Sequence, residues 1–278
     1  MRGKLCVVTG ANAGIGKVMA LRLAEAGASV VLVCRDPRRG ETALAEVRRR
    51  SGNQRVELMR CDLSSQRSVR DFADAFRASG RRIDVLANNA GIYLPRRQLS
   101  PEGHEVMLAT NHLGPFLLTS LLLDRLEGGR VVVTASASHA LGRIDFQDLH
   151  CERRFRPMRQ YGTSKLANIL FTRERARRGR AHGIVATCFH PGAVASEFGQ
   201  DAPGLLNLGM RIVRRVLRTP EAGADTGVFL ATEPEAAALS GSYLVDRRAR
   251  VPRGQGRDDA LASELWHVSE RMTGLAGS

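Results

Sequence analysis

The sequence predicts an α/β fold, a parallel sheet covered by helices on both faces. Valine-rich apolar runs alternate with amphipathic stretches along most of the 278 residues, which is the pattern of βαβ units. A glycine-bearing turn joins the first apolar run to a helical stretch. No internal repeat, low-complexity tract or long Pro/Gly linker divides the chain. We therefore expect a single domain over residues 1–278.

Seven strand-like runs follow one another, with helical sequence between them. Each combines β-branched residues with turn residues at its ends. In order, the predicted strands are LCVVTG (5–10), SVVLVCR (29–35), VELMRCDL (56–63), IDVLANNAG (83–91), RVVVTAS (130–136), IVATCFHPG (184–192) and GSYLV (241–245). The polar stretch 246–259 then predicts a loop, and residues 264–272 an amphipathic helix.

Composition indicates a soluble globular protein, with 43% hydrophobic and 25% charged residues. No run approaches the roughly 18 to 20 apolar residues that span a bilayer, and no apolar signal core precedes the first strand. We expect a cytoplasmic protein with no integral membrane span. The five cysteines show no paired metal-type spacing, so we expect reduced, structural thiols and no metal site.

The formal charge of +14 suggests an anionic partner such as nucleic acid or an acidic membrane. The chain has lysine only at positions 4, 17 and 165, and its arginines are spread over several helical segments instead of forming one tail. This distribution favours solvated helix faces over nucleic-acid binding. An anionic partner or substrate is the alternative.

The segment TGANAGIG (9–16) places glycines with the spacing G-x-x-x-G-x-G between a strand and a helix. Glycines there allow a tight turn and close approach of the backbone to a pyrophosphate, while the helix N-terminus offers N–H groups to the anion. Because a buried strand precedes this turn and a helix follows it, dinucleotide binding is favoured over a purely structural turn. The predicted contacts in this turn are Gly10, Asn12, Gly14, Ile15 and Gly16.

The end of the second strand, VLVCRDP, bears on which dinucleotide binds. Arg35 favours NADP(H), because a guanidinium pairs with the 2′-phosphate, whereas an acidic residue would hold a free ribose hydroxyl. Lys17 can add charge nearby. The alternative is that Asp36 holds the ribose and Arg35 is one surface arginine among many.

Four motifs in order carry a family resemblance: TGANAGIG, NNAG (88–91), YGTSK (161–165) and HPG (190–192). With them the chain resembles the short-chain dehydrogenases/reductases over nearly its whole length. VCRDPRRGE, NHLGPFLLT, YGTSKLANILFTRE and ELWHVSE resemble, more narrowly, the retinol dehydrogenase-like branch and related bacterial ketoreductases of polyketide pathways.

The resemblance implies a Rossmann-like, doubly wound sheet of about seven parallel strands, with NADP(H) across their carboxyl ends. The acid typical of NAD users would sit at Cys34. Membrane-bound members of this branch carry an amino-terminal anchor, which we do not expect here. The helices around NHLGPFLLTSLLL and YGTSKLANILFTRE commonly form a dimer contact in the family, so a homodimer is a candidate, although monomers occur in this branch.

Hydride transfer to a carbonyl requires a proton donor, and Tyr161 with Lys165 one helical turn away suits that task. A nearby ammonium is predicted to lower the tyrosine pKa from its ordinary value of about 10. The resemblance assigns Ser136 to orient the carbonyl oxygen. Ser138 is the reserve, because strand alternation would put both serines on one face.

Asn111 completes the family's set of four catalytic residues, in which such an asparagine helps to hold a water as a proton relay. Without the resemblance, a mid-helix asparagine would indicate only a kink or a solvent-facing position. His139 and His190 are expected to be structural, since Tyr161 already covers proton transfer.

Further cofactor contacts are predicted where strands end. Polar residues there are often only turn formers, which is the alternative. The adenosine half is expected to contact Asp62, Leu63, Asn89, Ala90 and Gly91. The nicotinamide half is expected to contact Pro191, Gly192, Val194, Tyr161 and Lys165.

The segment 196–218 resembles the family's substrate lid. Ser196 is an additional candidate contact, and the amphipathic stretch LLNLGMRIVRRVL places Arg211, Arg214, Arg215 and Arg218 among apolar positions. An apolar lid excludes water and implies a bulky lipophilic substrate. A basic amphipathic helix can alternatively touch an acidic membrane surface or a partner.

The sequence therefore predicts an NADP(H)-dependent oxidoreductase that interconverts a carbonyl and an alcohol on a lipophilic or polycyclic small molecule, mainly by reduction. The alternative is a sensor or scaffold that binds the dinucleotide without turnover.

Overall fold

One sheet with the strand order β3-β2-β1-β4-β5-β6-β7-β8 organises the chain. The computed structural model describes residues 1–194 and 218–275. The strands are β1 (Leu5–Thr9), β2 (Ser29–Cys34), β3 (Val56–Arg60), β4 (Val85–Asn88), β5 (Arg130–Thr134), β6 (Val185–His190), β7 (Tyr243–Val245) and β8 (Arg248–Arg250). The strands β1 to β7 pair in parallel, which confirms the predicted doubly wound sheet.

Helices connect the strands across both faces. They are α1 (Gly14–Glu25), α2 (Pro37–Ser51), α3 (Gln66–Ala78), α4 (Val106–Leu108), α5 (Gly114–Leu121), α6 (Pro157–Gly179), α7 (Pro220–Thr232) and α8 (Asp259–Met272). A π-helical segment, Ala109–Leu113, joins α4 to α5, and a 3₁₀ helix, Ala137–Leu141, follows β5. Within the described ranges, no helix combines the length and the apolar character needed to cross a membrane.

Several helix starts are set by side chains that accept hydrogen bonds from the first free backbone N–H groups. Asp36 caps α2, Ser65 caps α3 and Thr219 caps α7, each a residue type that favours this position. Proline occupies the first turn of α2 and α7, where its missing N–H costs nothing.

The eighth strand lies in the stretch 246–259, and the prediction of a loop over that whole stretch was wrong. Strand β8 pairs antiparallel with β7 across a two-residue turn in which Asp246 and Arg247 have φ values of 51° and 59°. Positive φ at both positions is typical of a tight hairpin turn, usually signalled by Asn-Gly or Asp-Gly. The sequence Asp-Arg lacks that signal.

Both faces of the sheet are buried. Along β1, Val7 belongs to one hydrophobic core, whereas Cys6 and Val8 belong to the core on the other side. This alternation within an entirely buried strand reflects the helices that cover each face. Cys6, Cys61 and Cys188 are buried in these cores, as expected of structural thiols.

The C-terminal helix α8 begins at Asp259, five residues before the predicted start. Asp258 caps it by accepting a hydrogen bond from the Leu261 N–H at 2.9 Å. Its Trp266 lies 4.9 Å from the ring of Phe116 and 5.9 Å from that of Phe171, centroid to centroid. Helix α8 therefore packs over α5 and α6.

Candidate active site

The crevice of the sheet lies where the strand order reverses, between β1 and β4. Here Gly10 and Gly14 have φ values of 65° and 53°, which favour glycine. A Cβ on Gly16 would lie 2.3 Å from the Gly10 oxygen and 2.4 Å from Asn89 Nδ2. The glycine turn thus packs against the ends of both strands. Helix α1 has no side-chain hydrogen bond at its N-cap, Ala13, so its first N–H groups suit an anion.

Thr9, the last residue of β1, holds the NNAG motif in place. Its hydroxyl accepts hydrogen bonds from the backbone N–H groups of Asn89, at 3.0 Å, and Ala90, at 3.1 Å. The Asn89 side chain donates to the Thr9 oxygen at 3.1 Å and accepts from Thr134 Oγ1 at 3.2 Å. Sequence reasoning missed Thr9 and Thr134, although a polar residue ending an apolar strand at the crevice was a usable signal.

At the end of β3, Asp62 forms a local turn. Its carboxylate accepts from the Ser64 N–H at 3.0 Å and the Ser64 hydroxyl at 2.7 Å. The neighbouring Leu63 is buried, and a Cβ on Gly114 would lie 2.3 Å from its backbone oxygen. The turn-forming role is therefore observed for Asp62, and its contact with adenine stays a prediction.

Arg35 and Asp36, which follow β2, differ in whether their side chains already have partners within the protein. Asp36 accepts from the N–H groups of Arg38 at 2.9 Å and Arg39 at 3.2 Å as the cap of α2. Arg35 is exposed, and within residues 1–194 and 218–275 no acidic group pairs with it. Lys17, which we expected to add charge nearby, instead forms an ion pair with Glu46 at 2.6 Å.

Tyr161 and Lys165 lie together on α6, with Lys165 Nζ 5.7 Å from the centre of the tyrosine ring. Lys165 is 2% exposed and donates to the Thr134 backbone oxygen at 3.1 Å. Burial lowers the pKa of Lys165 to about 8 and raises that of Tyr161 to about 12. The predicted lowering of the tyrosine pKa is thus not seen in the protein alone, because desolvation of the phenol outweighs the other contributions.

Ser136 follows β5 and approaches Tyr161. A hydrogen bond between the two side chains opposes the rise in the tyrosine pKa. Ser136 Oγ also accepts from the Ser138 N–H at 3.1 Å, as the cap of the 3₁₀ helix. Strand β5 ends at Thr134, so the expected alternation of Ser136 and Ser138 on one strand face was wrong. The structure favours Ser136 over Ser138 as the partner of Tyr161.

Asn111 lies in the π-helical segment and is fully buried. Its side chain accepts from the Ile92 N–H at 2.7 Å, and donates to the Ile92 oxygen at 3.0 Å and to Ser164 Oγ at 2.9 Å. A Cβ on Gly91 would lie 3.1 Å from Lys165 Nζ and 3.4 Å from Asn111 Oδ1. Asn111 and Lys165 therefore meet at the NNAG turn. The π-helical turn around Asn111 is a local irregularity of the helix, as a mid-helix asparagine indicated.

His139 and His190 hold the loop that carries Ser136. His139 Nδ1 lies 2.7 Å from the Ser136 oxygen, and its Nε2 accepts from the Arg253 N–H at 3.0 Å. His190 Nδ1 accepts from the Ala137 N–H at 3.2 Å. Burial lowers the pKa of both histidines. Both are therefore bound to backbone groups, as expected of structural histidines.

The chain after β6 includes Gly192, with a φ of 84°. Val194 forms a parallel bridge with Arg218, and the Arg218 guanidinium pairs with Asp246. Arg218 was expected to end the amphipathic lid, but it lies in this bridge because its N–H donates to the Ala193 oxygen at 2.8 Å. Ser196, Arg211, Arg214 and Arg215 lie outside the described residues.

The fold and the crevice define a Rossmann-type protein with a crevice suited to a dinucleotide. The chain belongs to the short chain dehydrogenase family, whose sequence profile matches residues 4–203, and this membership supports an oxidoreductase that interconverts alcohols and carbonyls with a nicotinamide dinucleotide. Its relatives place it in the retinol dehydrogenase-like branch, which confirms the resemblance drawn from the motifs.

Three similar proteins illustrate this relationship. The chain is 44% identical to human dehydrogenase/reductase SDR family member 13 over 99% of this chain and 74% of that protein. It is 40% identical to human retinol dehydrogenase 12 over 98% of this chain and 87% of that protein. A crystal structure of a short chain dehydrogenase from Burkholderia cenocepacia in complex with NADP superposes with a TM-score of 0.69 at 25% identity, covering 87% of this chain and 96% of that one.

Proposed function

We propose that the protein is an NADP(H)-dependent reductase that converts a ketone or aldehyde of a lipophilic or polycyclic molecule to the alcohol. The observation that carries this proposal is the convergence of Ser136, Tyr161 and the buried Lys165 at the end of β5. A phenol, a hydroxyl and an ammonium brought to one crevice match the groups that carbonyl reduction needs.

Each side chain has a role in this mechanism. When bound, NADPH would supply the hydride for the carbonyl carbon. Ser136 orients the carbonyl oxygen, and Tyr161 donates a proton to it. Lys165 binds the nicotinamide ribose and, as an ammonium, favours the phenolate that proton donation leaves behind. Asn111 holds the backbone at Ile92 beside Lys165 and supports the proton relay to solvent.

With a pKa of about 12, the Tyr161 phenol is protonated near neutral pH in the protein alone, which is the form that donates a proton to a carbonyl oxygen.

Arg35 and Asp36 support NADP(H) over NAD(H). The Asp36 carboxylate already accepts hydrogen bonds from two backbone N–H groups. The exposed Arg35 makes no ion pair with an acidic residue in the described part of the chain. A guanidinium at this strand end suits the 2′-phosphate. The similar Burkholderia cenocepacia enzyme was crystallised with NADP.

The proposal of a lipophilic substrate is based on the predicted lid and on the similarity to retinol dehydrogenase 12. Cytoplasmic residence stays a prediction.

The homodimer also stays a prediction. Trp266 of α8 packs on Phe116 of α5 and Phe171 of α6, so α8 covers part of the two helices that would form the dimer contact.

A test combines a panel of lipophilic aldehydes and ketones, retinal among them, with NADPH absorbance as the readout. We expect turnover on part of the panel, and we expect Tyr161→Phe to bind NADPH like the wild type while losing most turnover. Binding of NADPH with no turnover across the panel would favour the sensor. Turnover in Tyr161→Phe equal to that of the wild type would contradict the mechanism.

A further inference from the structure

Gln160, the residue before Tyr161, is fully buried and 0% exposed. Its Nε2 donates to Glu105 Oε2 at 2.8 Å and to the Leu149 oxygen at 3.1 Å. Its Oε1 accepts from Cys151 Sγ at 3.0 Å. The amide thus uses both of its protons and one acceptor position, and it fixes the start of α6 to two other parts of the chain.

Glu105 is the other half of this contact and is also 0% exposed. Its carboxylate caps α4 by accepting from the N–H groups of Met107 at 3.0 Å and Leu108 at 2.9 Å. A buried carboxylate is tolerated only when several donors surround it. Of the three donors to this carboxylate, two are backbone N–H groups and the third is the Gln160 side chain. The carboxylate therefore connects α4, which leads to Asn111, with the first turn of α6, which leads to Tyr161.

The N-cap of α6, Arg156, makes no side-chain capping hydrogen bond, whereas Gln160 anchors the same turn through its buried amide. Gln160 lies in this first turn, one residue before Tyr161. The position of the phenol relative to Ser136 therefore depends on where the Gln160 amide is held.

We propose that Glu105 and Gln160 form a positioning pair that sets Tyr161 relative to Asn111 and Ser136. This inference rests on the proposed function, in which Tyr161 donates the proton. The pair acts through Tyr161, because the Gln160 amide is directed at Glu105, Leu149 and Cys151 and the Glu105 carboxylate at the start of α4.

Gln160→Met tests the pair by removing the hydrogen bonds while keeping the side-chain length. Small displacements of a reacting group are costly, so we expect a fall in kcat of about tenfold, with KM for the carbonyl and the affinity for NADPH close to wild type. Glu105→Gln should behave similarly, because an NH2 group then replaces one of the accepting oxygens and faces an N–H donor.

The matched control is Gln147→Ala. Gln147 is exposed in the same loop as Leu149 and Cys151, and its described hydrogen bond is made by the backbone N–H. This variant should keep wild-type kcat. Unchanged kcat in Gln160→Met, or a loss shared equally by kcat, KM and NADPH affinity, would overturn the positioning role.

A second measurement needs no substrate. The chain has three tyrosines, so ¹³C-labelled tyrosine gives few NMR signals, and loss of one in Tyr161→Phe assigns Tyr161. Tyr243→Phe assigns Tyr243 in the same way. In Glu105→Gln, a change 55 positions from Gln160 along the chain, we expect the Tyr161 signal to move and the Tyr243 signal to stay. An unmoved Tyr161 signal refutes the inference, whereas an inactive wild type with a moved signal refutes the proposed function alone.

Discussion

Lys165 donates a hydrogen bond to the backbone oxygen of Thr134, at 3.1 Å. Asn168 Nδ2 approaches the same oxygen at 3.4 Å. The end of strand β5 thus fixes the ammonium before any cofactor binds. Since Ser136 follows two residues later, β5 sets the position of two of the proposed catalytic groups.

The pH dependence of reduction should follow Lys165. Its pKa of about 8 means that the ammonium is present below that pH and is lost above it. The Tyr161 phenol, with a pKa of about 12, stays protonated over the same range. We therefore expect kcat for reduction to fall as the pH rises through about 8.

The measurement is a profile of kcat against pH under saturating NADPH. Lys165→Met is the comparison, because it removes the titrating group and should give a low and flat profile over this range. A wild-type profile that stays level well above the pKa of Lys165 would contradict the assignment.

Cofactor choice should depend on Arg35. We expect Arg35→Ala to weaken binding of NADPH by about tenfold to a hundredfold, as for the loss of a charge-assisted hydrogen bond, and to leave NADH unaffected. Fluorescence titration with both cofactors provides the measurement. Arg49→Ala is the control, since Arg49 is exposed in the last turn of α2. An equal loss for both cofactors would show that Arg35 does not meet the 2′-phosphate.

Trp266 should matter for stability. It is 6% exposed, packs on Phe116 and Phe171, and lies under the Arg178 guanidinium at 4.7 Å from the ring centre. Trp266→Ala should lower the free energy of unfolding by about 3 to 5 kcal/mol, the usual cost of deleting a large buried aromatic side chain. Urea unfolding measures this. Glu264→Ala, an exposed change on α8, should have little effect.

The same packing makes the oligomeric state informative. A dimer through the surfaces of α5 and α6 at Phe116 and Phe171 would require α8 to move away from them. Light scattering coupled to size-exclusion chromatography measures the mass in solution. A dimer of the wild type in which α8 stays packed on Phe116 and Phe171 would show that the dimer contact lies elsewhere.

The parallel sheet and the Tyr161/Lys165 pair could be predicted because their signals are local. Strand periodicity, glycine spacing and an i, i+4 pair are all visible within a few residues. Gln160 could not be recognised in this way, because its partner Glu105 lies 55 positions away. Nor could the pKa of Tyr161, because a pKa depends on burial, which only the packed structure defines.

Ser136 and Ser138 show a second limit. Periodicity assumes that a strand continues, and β5 ends two residues before Ser136. The hydrogen bond from the Ser138 N–H to Ser136 Oγ begins a 3₁₀ helix instead. A short polar run after a buried strand carries no periodic signal of where that change occurs.

Gly91 should be sensitive to the smallest side chain. An added Cβ would lie 3.1 Å from Lys165 Nζ and 3.4 Å from Asn111 Oδ1, which is close enough to displace a flexible side-chain end without disturbing the core. We expect Gly91→Ala to fold normally and to lower kcat by about tenfold, because the ammonium moves away from Thr134.

The value of kcat at saturating NADPH separates this effect from the predicted contact of Gly91 with the adenine ribose. If the Cβ displaces Lys165, kcat falls even at saturating NADPH, and the affinity for NADPH falls with it because Lys165 binds the nicotinamide ribose in the proposed mechanism. If the Cβ blocks the ribose, the affinity falls and kcat at saturating NADPH is preserved. The contacts favour the first outcome, since both groups nearest to the added carbon belong to Lys165 and Asn111. Parallel measurement of kcat, NADPH affinity and thermal unfolding decides between them.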